Sequence, residues 1–314
     1  MSSRPAPQKR INGILKELCA SHLQGKEAPL RLAMTALLCG GHILIEDVPG
    51  LGKTTLALAL SGVLGLSFGR VQCTSDLLPS DITGLSVFER REERFRFIKG
   101  PIFNNVLLVD EINRAMPKTQ SALLEAMEER RVTVDGTTYS LPDPFLVIAT
   151  QNPVEQVGTY PLPESQLDRF SLRTGIGYPP REIERDIIRG GSLKGRLKDL
   201  RPRIEIDDIL QARQRAQEVE LSLKVGDYIC DLVEATRSHP MILSGISTRG
   251  GIDLAGAARA CAWLDERGYV APEDVKEMFI AVCAHRLILR PEQAHQNPEE
   301  ILRSLLQKLP VPTA

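Results

Sequence analysis

His42-Ile43-Leu44-Ile45-Glu46-Asp47-Val48-Pro49-Gly50-Leu51-Gly52-Lys53-Thr54-Thr55-Leu56-Ala57 is the stretch that decides the fold. The apolar run Ile43 to Ile45 has the length of a buried strand, the Pro/Gly cluster breaks it, and apolar residues then recur at helical spacing at Leu56, Leu60, Val63 and Leu64. Strand, loop, Gly-Lys-Thr and helix make a phosphate-binding loop in the context it requires. Gly50 and Gly52 let the backbone turn N–H groups inward toward an anion, and the helix start adds unpaired donors and a positive dipole end. Lys53 is then placed to reach β- and γ-phosphates and the Thr54 hydroxyl to hold Mg²⁺, with Asp47, Val48, Pro49, Leu51 and Thr55 completing the nucleotide-binding segment. The usual pattern opens with glycine where this chain has Asp47. The residues that touch phosphate in such loops are the last ones, so the departure weighs little against the reading. The alternative is a glycine-rich turn that merely joins a strand to a helix.

A second stretch supplies the acid chemistry. Val106-Leu107-Leu108-Val109 reads as a fully buried strand, and it delivers Asp110 and Glu111 at its C-terminal end, where α/β sheets place ligands. Adjacent side chains at a strand end point differently, so Asp110 can hold the water shell of Mg²⁺ while Glu111 activates the attacking water as general base. Pro144 to Asn152 is another buried strand ending in a polar amide. Asn152 can orient the lytic water from beside the carboxylates, or simply start a turn with Pro153.

The whole chain sets bounds on these readings. At 314 residues it is long enough for about two domains, and 42% hydrophobic residues allow a sizeable core. The formal charge of −1 offers no global field for nucleic acid or an acidic membrane. The N-terminus has no apolar signal core and no stretch reaches the length of a membrane span, so a cytoplasmic protein without membrane insertion is expected. Six cysteines lie scattered without a C-x-x-C pair, which predicts reduced core thiols. None of the five histidines pairs with another on one helix face, so zinc is not expected.

In chain order, residues 1–8 read as loose, and Ile11, Leu15, Leu18 and Leu23, then Leu30 to Leu38, predict two helices ahead of the first strand. Arg70 to Cys73 reads as a second strand. Leu85 to Ile98 alternates apolar and charged residues about Arg90-Arg91-Glu92-Glu93, which predicts a hairpin with an exposed face. Its arginines are interleaved with Glu89, Glu92 and Glu93, as on a solvated surface rather than a DNA clamp. Pro117 opens a helix through Glu129, and Asp135-Gly136 suits a two-residue hairpin turn within 131–141. A last strand is expected from Leu172 to Ile176, and the Gly/Pro-rich stretch 175–180 is the best domain boundary. Helices are then expected at 181–190, 207–219, 225–237, 248–265 and 272–286, with Asp207 and Ser247 or Thr248 as N-caps and Pro272 in a first turn.

Phosphate loop, Asp110-Glu111, Asn152, Arg169 and a helical C-terminal half, in this order, resemble the AAA+ ATPases. The chain is similar to the MoxR group in Glu46 to Thr54, Lys99 to Phe103, Asp110 to Ala115, Ala149 to Pro153, Leu162-Pro163-Glu164 and Asp168-Arg169-Phe170. The resemblance implies an α/β fold, a P-loop αβα sandwich with a five-stranded parallel sheet over 1–178 plus an all-α lid over 179–314. It further implies a homo-oligomeric ring, a hexamer, with ATP and Mg²⁺ between subunits. On that analogy Arg169 resembles the arginine finger that enters the neighbour's site, and Arg249 the lid arginine that senses the γ-phosphate of its own subunit. Without it, Arg169 reads as a surface ion pair and Arg249 as a helix-end residue. The hairpins near 85–98 and 131–141 resemble the family's inserts, which face the ring pore or the client.

The function so implied is ATP-driven, chaperone-like remodelling or activation of a protein client, by analogy often a von Willebrand factor A domain protein. The alternatives are a nucleotide-gated scaffold with slow turnover, against which the intact Glu111 argues, and a DNA-acting helicase or loader. Neutral charge and the lack of a basic tail or helix-turn-helix argue against nucleic acid.

Overall fold

The computed structural model describes residues 7–153, 157–189, 200–293 and 295–312. Helices α1 (Pro7–Ser21) and α2 (Glu27–Cys39) precede strand β1 (Ile43–Glu46), helix α3 (Lys53–Leu64) and strand β2 (Phe68–Gln72). A short helix, α4 (Pro79–Thr83), leads into a hairpin of β3 (Gly84–Glu89) and β4 (Arg94–Lys99), then β5 (Val106–Asp110) and α5 (Pro117–Glu129). A second hairpin, β6 (Arg131–Val134) and β7 (Thr137–Ser140), precedes β8 (Leu146–Gln151), the single turn α6 (Glu164–Leu167) and β9 (Leu172–Thr174). Thereafter come α7 (Arg181–Ile188), α8 (Ile206–Gln217), α9 (Leu223–Ser238), β10 (Ile242–Ser244), α10 (Thr248–Leu264), α11 (Pro272–Cys283), β11 (Ile288–Leu289) and α12 (Pro298–Lys308).

The central sheet has five strands in the order β2-β5-β8-β1-β9, all parallel. Its three inner strands carry continuous apolar runs because both faces are covered, whereas the edge strands β2 and β9 are partly exposed. Ile43, Ile45, Val106 and Leu108 face one side with α1, α2, α3 and the C-terminal helices, whereas Leu44, Leu107, Val109 and Val147 face α5 on the other. The first of these cores runs without interruption from Leu60 in α3 through Leu37 in α2 to Leu254 and Ala258 in α10, so the C-terminal helices share one apolar interior with the sheet.

Local rules account for most element ends. Asp135 and Gly136 both have positive φ, 49° and 76°, as a two-residue hairpin turn of the primed type requires. Ser247 caps α10 by accepting from the Gly250 N–H at 3.1 Å. Several expected ends shift. Strand β9 stops at Thr174 instead of Ile176, because the N–H groups of Ile176 and Gly177 turn to the Asp47 carboxylate at 2.8 and 2.7 Å. Asp207 is not an N-cap: α8 begins at Ile206, which makes Glu205 the cap and leaves Asp207 in the first turn. Helix α11 ends at Cys283 and tightens into a 3₁₀ turn at Ala284–Arg286. Of the loose N-terminus expected at 1–8, residues 1–6 lie outside the described residues, as does residue 190 at the end of the helix expected from 181. Among the described residues no helix is long and apolar enough to cross a membrane. All six cysteines are free thiols; Cys230 is exposed, Cys39 half-buried and the other four are buried.

Candidate active site

The loop after β1 has the backbone that the sequence motif demands. Gly50 and Gly52 adopt φ of 88° and 95°, and nothing crowds the place where a Cβ would sit at Gly50, so conformation rather than space calls for glycine. Gly52 is the N-cap of α3 and brings no side chain to cap it, which leaves the first-turn N–H groups at Lys53, Thr54 and Thr55 facing the loop. Val48, Pro49 and Leu51 span the loop between them. Lys53 Nζ donates to the carbonyl of Asp47, folding the lysine back over the loop. Burial lowers the Lys53 pKa, and the negative charges of Asp47, Asp110 and Glu111 oppose that shift.

The Asp47 side chain is engaged by backbone N–H groups. Its Oδ2 accepts from the N–H groups of Ile176 and Gly177, and its Oδ1 from its own neighbour Val48 at 2.9 Å. Lys26 adds a bond from its ammonium to the Gly177 carbonyl at 2.6 Å. Where a glycine would leave the loop base bare, the aspartate ties it to the chain segment that leads into the C-terminal helices.

Beside the loop, β5 ends in Asp110 and Glu111. Asp110 is buried; its Oδ2 pairs with Arg70 Nε at 2.8 Å and its Oδ1 accepts from the Thr150 hydroxyl at 3.4 Å. Glu111 adopts the left-handed conformation (φ 56°, ψ 52°), and its N–H is held by Thr150 Oγ1 at 2.9 Å. Its carboxylate accepts from Gln72 Nε2 and Arg114 Nη1, each at 3.0 Å. The parallel register explains Gln72, which lies opposite Asp110 in the β2–β5 ladder. Asn152 directly follows β8, at the same end of the sheet, and is half-buried. A hydroxyl at Thr54 and a carboxylate at Asp110 are hard oxygen donors of the kind that Mg²⁺ takes.

The cationic residues lie elsewhere. Arg169 Nε pairs with Glu128 Oε2 at 2.9 Å, and Arg249 Nη1 pairs with the other oxygen, Oε1, at 3.0 Å. They line a cavity of about 280 Å³ together with Gly40, His42, Arg130 and Arg213. His42 immediately precedes β1 and the phosphate loop follows it, so the length of β1, four residues or roughly 13 Å, separates the two ends. Arg249 therefore lies, in this structure, at the end of β1 away from the phosphate loop of its own subunit. Helix α10 packs against α2, and its Asp253 bonds Arg286, which in turn holds the chain at 168–170. His42 lies at the floor of this end with both ring nitrogens engaged, Nδ1 accepting from Val147 N–H at 3.0 Å and Nε2 meeting the Met127 carbonyl at 3.2 Å. Burial first, and the Arg130 charge second, push its pKa down to about 3.

Gln72, Thr150 and Glu128 were not foreseen from the motifs. Thr150 carries the one signal available, a polar residue near the C-terminal end of a buried strand; Gln72, on the partly exposed edge strand β2, and Glu128, at the end of an amphipathic helix, carry none.

Residues 42–172 match the ATPase family associated with various cellular activities (AAA), and residues 234–305 match the AAA lid domain. Among relatives, an uncharacterized protein of Bacillus subtilis, YeaC, is 45% identical over 290 residues, which cover 92% of this chain and 91% of that protein. Chaperone MoxR1 of Mycobacterium tuberculosis is 38% identical over 300 residues, 92% of this chain and 79% of that one. A crystal structure of a candidate ATPase from Cytophaga hutchinsonii superposes with a TM-score of 0.89 at 37% identity, covering 98% of this chain and 96% of that one.

Proposed function

The chain belongs to the MoxR family of AAA+ ATPases, and from that premise we propose that it hydrolyses ATP at the junction between subunits of a homo-oligomeric ring, with 1–178 as the ATPase core and 179–314 as the lid. The backbone N–H groups from Gly50 to Thr55 and the Lys53 ammonium bind the β- and γ-phosphates, for which Lys53 leaves the Asp47 carbonyl. Thr54 and Asp110 would hold Mg²⁺, whose chemistry is to neutralise charge on the phosphate oxygens. Asn152 orients a water, Glu111 takes its proton as oxygen attacks the γ-phosphorus, and the bond to the β-phosphate oxygen breaks. Gln72 and Arg114 both donate to Glu111 Oε2, which leaves the other carboxylate oxygen to take that proton.

One observation carries the reading: Arg169 and Arg249 share Glu128 at the end of the sheet away from Lys53. A subunit so built cannot bring these arginines to its own phosphates, whereas a head-to-tail neighbour can receive them. Both arginines thus act in trans in this proposal. The β3–β4 hairpin, with Phe95 and Ile98 72% and 53% exposed, is the element that meets a protein client in chaperone-like remodelling. A hexameric ring and a von Willebrand factor A domain client belong to the same proposal by family analogy.

ATP turnover per subunit, measured against protein concentration, tests it. Specific activity is expected to rise with concentration and to be lost in Glu111→Gln and Arg169→Ala. Activity that stays flat with concentration and survives Arg169→Ala would overturn the trans arrangement.

A further inference from the structure

Arg286 is a buried arginine that no motif contains. Its side chain, 2% exposed, emerges from the 3₁₀ turn after α11 and enters the space between two other parts of the chain. Toward one of them, Nε donates to Asp168 Oδ1 at 2.7 Å, and Nη2 donates to the carbonyls of Asp168 at 3.2 Å and Phe170 at 3.0 Å. The residue between those two is Arg169. Its neighbour His285 bonds the same Phe170 carbonyl at 2.8 Å. Toward the other, Nη2 also donates to Asp253 Oδ2, on α10. Asp253 lies one helical turn beyond Arg249 on the same face of that helix. Gly250 fits this path: a Cβ there would come within 3.2 Å of Arg286 Cδ and 2.6 Å of Ile246, so the first turn of α10 can sit over the arginine only with glycine at this place.

We propose that Arg286 is the positioning residue that holds Arg169 and Arg249 as one rigid pair. This inference rests on the trans reading above. A planar fork suits the task because its separate N–H groups reach a carboxylate on each side and the intervening carbonyls at once, which a lysine ammonium cannot do. Neither Arg169 nor Arg249 touches Arg286; the brace works through Asp168 and Phe170 on one side and Asp253 on the other. Its consequence is that the lid moves with the arginine end of the sheet and delivers both cations to a neighbour together.

Complementation between full-length subunits tests the inference. In Glu111→Gln subunits the base is lost and the arginines are intact; in Arg169→Ala subunits the reverse holds. If both are needed at one junction, random equimolar mixing returns about a quarter of wild-type turnover, since that share of junctions joins an intact base to intact arginines. Arg286→Lys alone is expected to lose about 10²-fold in kcat through misplacement of the pair, with KM for ATP unchanged. Mixed with Glu111→Gln it should regain the control level, and mixed with Arg169→Ala it should not. Wild-type turnover for Arg286→Lys, or no rescue by Glu111→Gln while the control pair complements, overturns the brace. If Arg286→Lys does not fold by circular dichroism, Asp253→Asn, which loosens one arm only, takes its place with the same expected partner and the same refuting result. Failure of the control pair itself overturns the trans reading and the inference with it.

Discussion

Glu128 holds two arginines that the proposed reaction needs elsewhere, and its replacement by glutamine gives a quantitative test. The two ion pairs are partly exposed: Glu128 is 38% exposed, Arg169 29% and Arg249 44%. Pairs of that kind contribute about 0.2–1 kcal/mol each, so the two together cost about 0.4–2 kcal/mol to break when the arginines turn to a neighbour's phosphate. In Glu128→Gln that cost disappears from the free subunit, and the protein concentration at half-maximal ATPase activity is expected to fall by about 2- to 30-fold. Folding stability should change by no more than about 2 kcal/mol, because only those pairs are lost. The assay is turnover per subunit over a dilution series at low ionic strength, with a urea melt of the same variant. Added salt should shrink the difference between variant and wild type, as the pairs in the free subunit are already screened. A midpoint that stays in place would refute the claim that Glu128 competes for the arginines. A midpoint that rises would put Glu128 inside the assembled site.

Three other perturbations follow from the same geometry. Thr150→Val removes the acceptor for the Glu111 N–H at a position only 2% exposed, so a stability loss of about 1–3 kcal/mol in urea is expected together with a fall in kcat; a variant as stable as the wild type would show that the left-handed turn at Glu111 does not depend on this bond. Asp47→Gly, which restores the commoner residue of the motif, leaves the N–H of buried Ile176 without its acceptor and that of exposed Gly177 to water, and should cost about 1 kcal/mol, with Asp47→Asn losing less; a neutral or stabilised glycine variant would refute the tether. For His42 the unfolded imidazole takes its proton below pH 6.5 and the folded one only near 3, so stability is full above 6.5 and is lost as pH falls through that window, by at most about 5 kcal/mol. Urea melts between pH 7 and 4 should therefore slope less steeply for His42→Gln than for the wild type, and equal slopes would exclude a buried neutral histidine.

The sheet and the phosphate-loop end were legible because both are written in contiguous residues. Ile43 to Ile45, Val106 to Val109 and Leu146 to Ile148 are apolar without alternation since helices cover both faces of a parallel sheet. Gly50, Gly52 and Lys53 then follow one strand directly, and Asp110 and Glu111 another. Asp47 was harder, because its partners are the N–H groups of Ile176 and Gly177, far along the chain, and backbone groups leave no trace in residue type. Gln72 and Thr150 become visible only when the order of strands sets β5 between β2 and β8.

The arginine end was illegible for a different reason. Hydrophobic periodicity records what a chain buries within itself, and a half-site that awaits another subunit keeps its charged residues near solvent, where periodicity is silent. Arg169 and Arg249 were named by motif alone, and both pair with Glu128 at the end of the sheet away from Lys53. At that end the buried Arg286 and the half-buried Asp168 and Asp253 bind the lid to the strand end opposite the phosphate loop. Asp47 meanwhile ties the loop to residues 176–177, just ahead of the lid, at the near end. The lid and the segment leading into it are thus tied at both ends of the sheet, once beside the phosphate loop and once beside the arginines that the proposed ring would lend to a neighbour. A change at the loop that moves the 176–177 segment bears on the same lid that carries Arg249, so binding in one site and arginine delivery to the next share a mechanical element.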